Sequence, residues 1–122
     1  MLFPLFDKDC DLVAWIKPGK HIFDVEMNWI AYIANGHAWS AKTNKWLGPV
    51  RGLLCMDHNG HPILWNPKET VAGSPRPLRP LTPLKPLNPL RPLRPLKPLR
   101  PLKPLTPLGG WAKDSYYAWI SQ

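Results

Sequence analysis

The sequence predicts an all-β fold: four pseudo-symmetric β-hairpins arranged radially in a small barrel, continued by an extended Pro-rich polyproline II tail. Three observations predict it. The first part of the chain carries four copies of a repeat about 17 residues long, each copy has a polar turn cluster at its middle, and an unbroken Pro-Leu-x triplet runs from Pro77 to Leu108.

The repeat is read from its second halves. Val13-Ala14-Trp15-Ile16 recurs as Ile30-Ala31-Tyr32-Ile33, then more weakly as Leu47-Gly48-Pro49-Val50 and as Ile63-Leu64-Trp65-Asn66. The first halves align as Leu5-Phe6-Asp7, Ile22-Phe23-Asp24 and Cys55-Met56-Asp57, with Trp39-Ser40-Ala41 as the degenerate copy. Each copy is a short β-branched or aromatic run, a polar turn, and a second apolar run, which is the pattern of a hairpin. The turns fall at Asp9-Cys10-Asp11, Glu26-Met27-Asn28, Thr43-Asn44-Lys45 and Asn59-Gly60-His61. Asn59-Gly60 carries the strongest hairpin signal, because both residues tolerate the positive φ of a primed turn. Cys10 and Met27 are poor residues for the same position. The turn clusters leave no room for an amphipathic helix of ordinary length.

An isolated hairpin is marginal in water, so four must bury their faces on one another, and closing the ring removes exposed strand edges. Ala14, Ala31 and Gly48 keep one repeat position small, as convergence near an axis requires, while Leu64 breaks the rule. Trp15, Tyr32 and Trp65, with Trp29 and Trp46 at a neighbouring position, supply large buried area to a small core.

With its V-A-W-I and I-A-Y-I second strands, the Leu47-Gly48 step and the D-x-N-G turn at Asp57 to Gly60, the chain resembles the four-fold β-flower proteins, found mainly in bacteria. The low-complexity Pro- and Arg-rich tail and short aromatic C-terminus reinforce the resemblance, which spans nearly the whole chain. Pro49 and Pro62 stand where the family has strand residues, and such prolines imply edge positions or bulges. The resemblance implies a fold and no activity.

Charge divides the chain sharply. The 122 residues carry a net charge of +8, yet eight of the 16 basic residues and 12 of the 17 prolines lie between residues 74 and 108, where there is no Asp or Glu. Outside that stretch eight basic residues balance eight acidic ones. The organisation that follows is a four-hairpin domain over residues 1–70, a low-complexity tail over 71–110 and an aromatic docking segment over 111–122. A single core this small excludes a two-domain enzyme with a deep cleft.

Polyproline II has three residues per turn, so proline, leucine and the polar residue each form a stripe. Collagen is excluded, since the period-three glycine is absent. A stiff solvated spacer is the plain reading of such a segment. Eleven leucines at every third position are more apolar surface than a spacer needs, and they favour recognition. The cations Arg76, Arg79, Lys85, Arg91, Arg94, Lys97, Arg100 and Lys103 are the expected anionic-surface contacts. An anionic membrane satisfies leucines and cations together, with the unpaired backbone keeping the segment at the interface. A protein groove reading repeated P-x-x-P with avidity is the alternative. Nucleic acid ranks third, because no aromatic residue lies between Ser74 and Leu108 to stack on bases.

Beyond the Gly109-Gly110 hinge, Trp111, Tyr116, Tyr117, Trp119 and Ile120 are the expected docking residues. A short helix puts Tyr116, Trp119 and Ile120 on one face; a strand puts Trp111, Tyr117 and Trp119 together. Docking back on the hairpin domain is the plainer expectation and an external partner the alternative.

No residue pattern calls for a cofactor, metal or small-molecule substrate. Asp7-x-Asp9-x-Asp11 imitates a calcium loop, but Leu12 replaces the required glycine and Pro18 the bidentate Glu, so a polar turn fits better. Cys55, His58 and His61 have metal-ligand spacing and lack a fourth ligand. His21 and His37 stand alone, and no nucleophile motif is present. Two cysteines, Cys10 and Cys55, imply reduced thiols. The N-terminus has no signal-peptide character and no stretch is long enough to span a membrane. The expectation is a non-enzymatic binding or scaffold protein, cytoplasmic and peripheral at a membrane.

Overall fold

The computed structural model describes residues 2–68, 89–93, 95, 96, 98–101 and 110–122. Eight strands follow in order: β1 (Phe3–Phe6), β2 (Leu12–Lys17), β3 (His21–Asp24), β4 (Trp29–Ala34), β5 (His37–Ser40), β6 (Trp46–Arg51), β7 (Leu54–Met56) and β8 (Pro62–Leu64). Each pairs antiparallel with the next. Four hairpins, β1–β2, β3–β4, β5–β6 and β7–β8, are the four copies of the repeat.

The sheet curls into a nearly closed barrel because its two ends meet. Phe6 and Trp65 exchange both backbone hydrogen bonds, 2.8 and 2.9 Å. The Trp65 indole donates to the Asp7 carbonyl at 2.7 Å and the Asn66 amide to the Pro4 carbonyl at 2.8 Å. Asn66 ends the apolar pattern at the place where the ladder itself ends, so its polar side chain takes over the stitching. Closure rests on one bridge, which leaves much of β8 an open edge.

The copies share one turn. In the first, second and fourth, an i→i+3 bond joins Cys10 to Asp7, Met27 to Asp24 and Gly60 to Asp57, each 3.0 Å, and the third residue after the aspartate has positive φ: 66° at Cys10, 64° at Met27 and 82° at Gly60. This is a type I turn followed by a left-handed bulge residue, a usual three-residue hairpin loop. Register shifts at Leu5/Phe6, Ile22/Phe23, Ala38/Trp39 and Cys55/Met56 give each copy the same strand kink.

Three sequence expectations are corrected here. Asn59-Gly60 is not a primed turn, since only Gly60 has positive φ; Asn35-Gly36, at 55° and 76°, has both residues there, in the connection between the second and third copies. Cys10 and Met27, poor bulge residues by propensity, take that position because their side chains are buried, 4% and 2% exposed, in clusters between hairpins. The third copy begins Ala38-Trp39-Ser40, one residue earlier than Trp39-Ser40-Ala41. Ser40 is the counterpart of the turn aspartates, and one extra loop residue moves the positive φ to Asn44, whose amide bonds the Ser40 carbonyl in an i→i+4 turn.

The two prolines sit differently. Pro62 lies beside the Cys55/Met56 irregularity on the open strand β8, as an edge or bulge proline should. Pro49 is inside β6, opposite His37, and the β6–β7 ladder is confined to Val50↔Cys55 and Arg51↔Leu54, just beyond the residue that has no N–H to give.

The barrel interior is apolar. Leu5, Ala14, Ile16, Ile22, Ala31, Ala38, Leu47, Cys55 and Leu64 form it together with Tyr116 and Trp119 from the C-terminal helix α1 (Tyr116–Ile120). Smaller clusters fill the gaps between hairpins outside: Trp15, Phe23 and Met27 in one, Phe6, Cys10, Leu54, Met56 and Trp65 in another. At Gly48 a Cβ would stand 2.0 Å from the Met56 carbonyl oxygen, so backbone-to-backbone approach dictates that residue.

Candidate functional site

The turns that end the hairpins form a rim of outward-facing backbone. Within each, one side chain organises the loop: Asp7 Oδ1 accepts from the amides of Asp9 and Asp11 at 2.9 and 3.0 Å, Asp24 Oδ1 from Glu26 and Asn28 at 2.8 and 2.9 Å, and Asp57 Oδ1 from Asn59 and His61, both at 2.9 Å. Ser40 Oγ does the same more loosely for Lys42 and Thr43, 3.3 and 3.2 Å. These are Asx- and ST-turns. The Asp7-x-Asp9-x-Asp11 run is one of them, its first carboxylate taken up by amides.

The tail meets this rim through two cations. Arg91 Nη2 donates to the Glu26 carbonyl, and Arg100 Nη2 to the Asp9 carbonyl, with Asp11 Oδ1 a further 3.6 Å from the Arg100 guanidinium. Asp9 and Glu26 each stand two residues after the turn aspartate, so they are the same position in successive copies. Nine residues separate the arginines in sequence, which a polyproline II helix would span in three turns, about 28 Å. Along this stretch Leu90, Leu93, Leu96 and Leu99 are each 94% exposed, whereas Pro89, Pro92, Pro95 and Pro98 are half-buried. Among the described residues Arg91 and Arg100 therefore grip the turns, the prolines form a sheltered stripe and the leucines face solvent. Arg76, Arg79, Lys85, Arg94, Lys97 and Lys103 lie outside the described residues.

The C-terminal segment closes the same end of the barrel. Ser115 caps α1, its hydroxyl accepting from the Ala118 amide at 3.2 Å. Trp119 is fully buried, and its indole donates to the Met56 carbonyl at 3.1 Å. Tyr116 is buried beside it; burial, then the Asp24 carboxylate, pushes its hydroxyl pKa up. Ile120 is half-buried against the interior and Trp111 against the Phe6–Trp65 cluster. The Ala112 amide donates to the Pro62 carbonyl at 2.9 Å, covering part of the open β8 edge. Thr43 Oγ1 donates to the Gln122 carbonyl at 3.1 Å. Tyr117, grouped with the docking aromatics from sequence, is instead 70% exposed, because a helix turns it away from the face shared by Tyr116, Trp119 and Ile120. A cleft of about 180 Å³ separates Trp111–Tyr117 from the first turn and Pro62.

The residues with metal-ligand spacing are dispersed. Cys55 lies inside the barrel, its thiol pKa pushed up to about 12 by burial. The His58 ring stacks on Trp46 with centroids 4.5 Å apart, its Nε2 2.8 Å from the Trp46 carbonyl oxygen, and His61 turns back to Asp57 at 3.7 Å. Among the described residues no three His, Cys, Asp or Glu side chains converge on a metal position. The same residues include no helix long and apolar enough to cross a membrane.

The part of the site that sequence reasoning missed is the rim. Its signal was present as the aspartates at 7, 24 and 57, three copies of one turn organiser, but a carbonyl acceptor is invisible in side-chain identity. A family model described as "4-fold beta flower protein" matches residues 3–120 of the chain. No curated protein and no solved structure gives a match.

Proposed function

The chain belongs to the 4-fold beta flower family, and from that fold we propose a non-enzymatic binding or scaffold protein whose basic, leucine-striped tail engages an anionic membrane surface. The single observation that carries this reading is the leucine row. Four leucines at every third residue stand 94% exposed on a segment tied to a folded domain, a degree of apolar exposure that a folded chain ordinarily hides. The eight cations between residues 74 and 108, without an acidic neighbour, match that row to an anionic interface. The protein sits at such a membrane peripherally, facing the cytoplasm.

A groove that reads P-x-x-P needs the prolines. Here they are the sheltered stripe, which favours a lipid interface over a polyproline reader. A role in catalysis has little support from the nucleophiles: the Cys55 thiol is held protonated inside the barrel.

Co-sedimentation of the full chain with phosphatidylcholine vesicles, with and without phosphatidylglycerol, tests the proposal. The expected result is sedimentation that rises with anionic lipid. No sedimentation with either vesicle would refute it. The full chain is required, because truncating the tail also removes Trp119 from the barrel core.

A further inference from the structure

We propose that the work of the tail is divided by residue class: Arg91 and Arg100 are positioning residues spent on the protein's own turns, and Leu90, Leu93, Leu96 and Leu99 are the groups that enter lipid. This rests on the membrane reading above and specifies which side chains meet the surface. A guanidinium engaged with a backbone carbonyl on the rim points toward the head. In a polyproline II helix, with three residues per turn, holding the third residue of the triplet at two places would set the orientation of the stretch between them about its axis. The leucines are then held outward together, as their uniform 94% exposure shows.

The head supplies the spacing. Glu26 and Asp9 are equivalent in adjacent copies, so Arg91 and Arg100, nine residues apart, take the same carbonyl position of two successive turns. A free polyproline II chain can approach a surface with any stripe. One clamped at Arg91 and Arg100 approaches with leucine. The leucines supply the apolar part of its attraction to the surface, and the Arg100 guanidinium already has the Asp11 carboxylate 3.6 Å away.

The experiment places an environment-sensitive fluorophore at single sites of the full chain. Cys10 and Cys55 are both buried, so Leu93→Cys, Leu96→Cys and, as a head control, Lys8→Cys accept label selectively. On phosphatidylcholine/phosphatidylglycerol vesicles the labels at 93 and 96 should shift to the blue and be quenched by lipid-borne spin labels, and the label at 8 should do neither. In sedimentation, changing the four exposed leucines to serine should weaken binding by about tenfold or more, since each loses most of its apolar area. Arg91→Ala with Arg100→Ala releases the clamp, so the labels at 93 and 96 should lose part of their blue shift and of their quenching by lipid-borne spin labels. The division of labour is overturned if the chain binds vesicles while the labels at 93 and 96 stay in water, or if the arginine pair leaves the blue shift and quenching of those labels unchanged. If the chain fails to bind vesicles at all, the membrane reading falls and this inference with it.

Discussion

The indole of Trp119 donates to the backbone carbonyl of Met56, 63 residues earlier in the chain, and does so from a fully buried position inside the barrel. The C-terminal helix is therefore part of the core. Trp119→Ala should destabilise the fold by about 3–5 kcal/mol, through the cavity and the lost partner of a buried carbonyl. Chemical denaturation monitored by far-UV circular dichroism reads this directly. A loss below about 1 kcal/mol, the range of exposed positions, would show that the helix does not hold the barrel together.

Gly48 approaches that same carbonyl. Its missing Cβ would lie 2.0 Å from Met56 oxygen, a distance no side-chain adjustment relieves because the partner is backbone. Gly48→Ala should therefore cost more than about 2 kcal/mol, although alanine stands at the matching position of the first two copies, in Ala14 and Ala31. The reciprocal change Ala31→Gly, measured in the same denaturation series, should cost about 1 kcal/mol, the ordinary penalty for glycine in a strand.

Met27 occupies a left-handed bulge position with φ of 64° while its side chain is 2% exposed. Two effects oppose each other at this residue, backbone strain of about 1–2 kcal/mol and side-chain burial worth about 1.5–3 kcal/mol. Met27→Ala keeps the strain and loses the burial, so it should destabilise by about 2–4 kcal/mol. Met27→Gly loses both and should be the milder variant. The order of the two denaturation midpoints decides whether burial is what selects this residue.

Acidification should weaken the second and third hairpins. His37 Nδ1 accepts the Trp46 indole N–H at 3.2 Å, which it can do only unprotonated, and burial lowers its pKa from 6.5. His21 is lowered as well, by burial and then by Lys17 and Lys20. Since the unfolded chain takes up these protons first, the stability is complete above pH 6.5 and is lost as the pH falls through the depressed native values. A denaturation midpoint that drops between pH 7.5 and 5, with a smaller drop in His37→Gln, is the expected result.

Both thiols should be silent in the native state. Cys55 is enclosed in the barrel with its pKa pushed up to about 12, and Cys10 is 4% exposed. Thiolate is the reactive form, so an aromatic disulfide reagent should label the protein only as fast as it unfolds. Rapid labelling of either cysteine in the absence of denaturant would contradict the packing.

The repeat, the hairpin order and the tail's triplet were legible in the sequence because they are periodic, and period is what a linear text displays. The Asp7, Asp24 and Asp57 turns are read from that period alone. What escaped was set by tertiary contact. Met27 and Cys10 sit where propensity alone places glycine or asparagine, because burial outweighs the strain of the turn. The longer third turn, beginning at Ser40, was hidden by an alignment that preserved the apolar run and misplaced the loop. The short helix of Tyr116 to Ile120 was one of two open readings, as five residues carry too little periodicity to separate helix from strand. The seats of Arg91 and Arg100 are backbone carbonyls, which every residue has and no sequence marks.

A head made of four like units presents any segment that docks on it with four nearly degenerate orientations. The copies are unlike in a few places: Gly48 and Leu64 depart from Ala14 and Ala31, and only the third turn has an added residue. Those departures index the ring, as a notch indexes a gear, so that Trp119 finds the Met56 carbonyl and the tail finds the first two turns. Restoring perfect four-fold identity would leave the hairpins intact and free the C-terminal half of the chain to settle in several rotational phases.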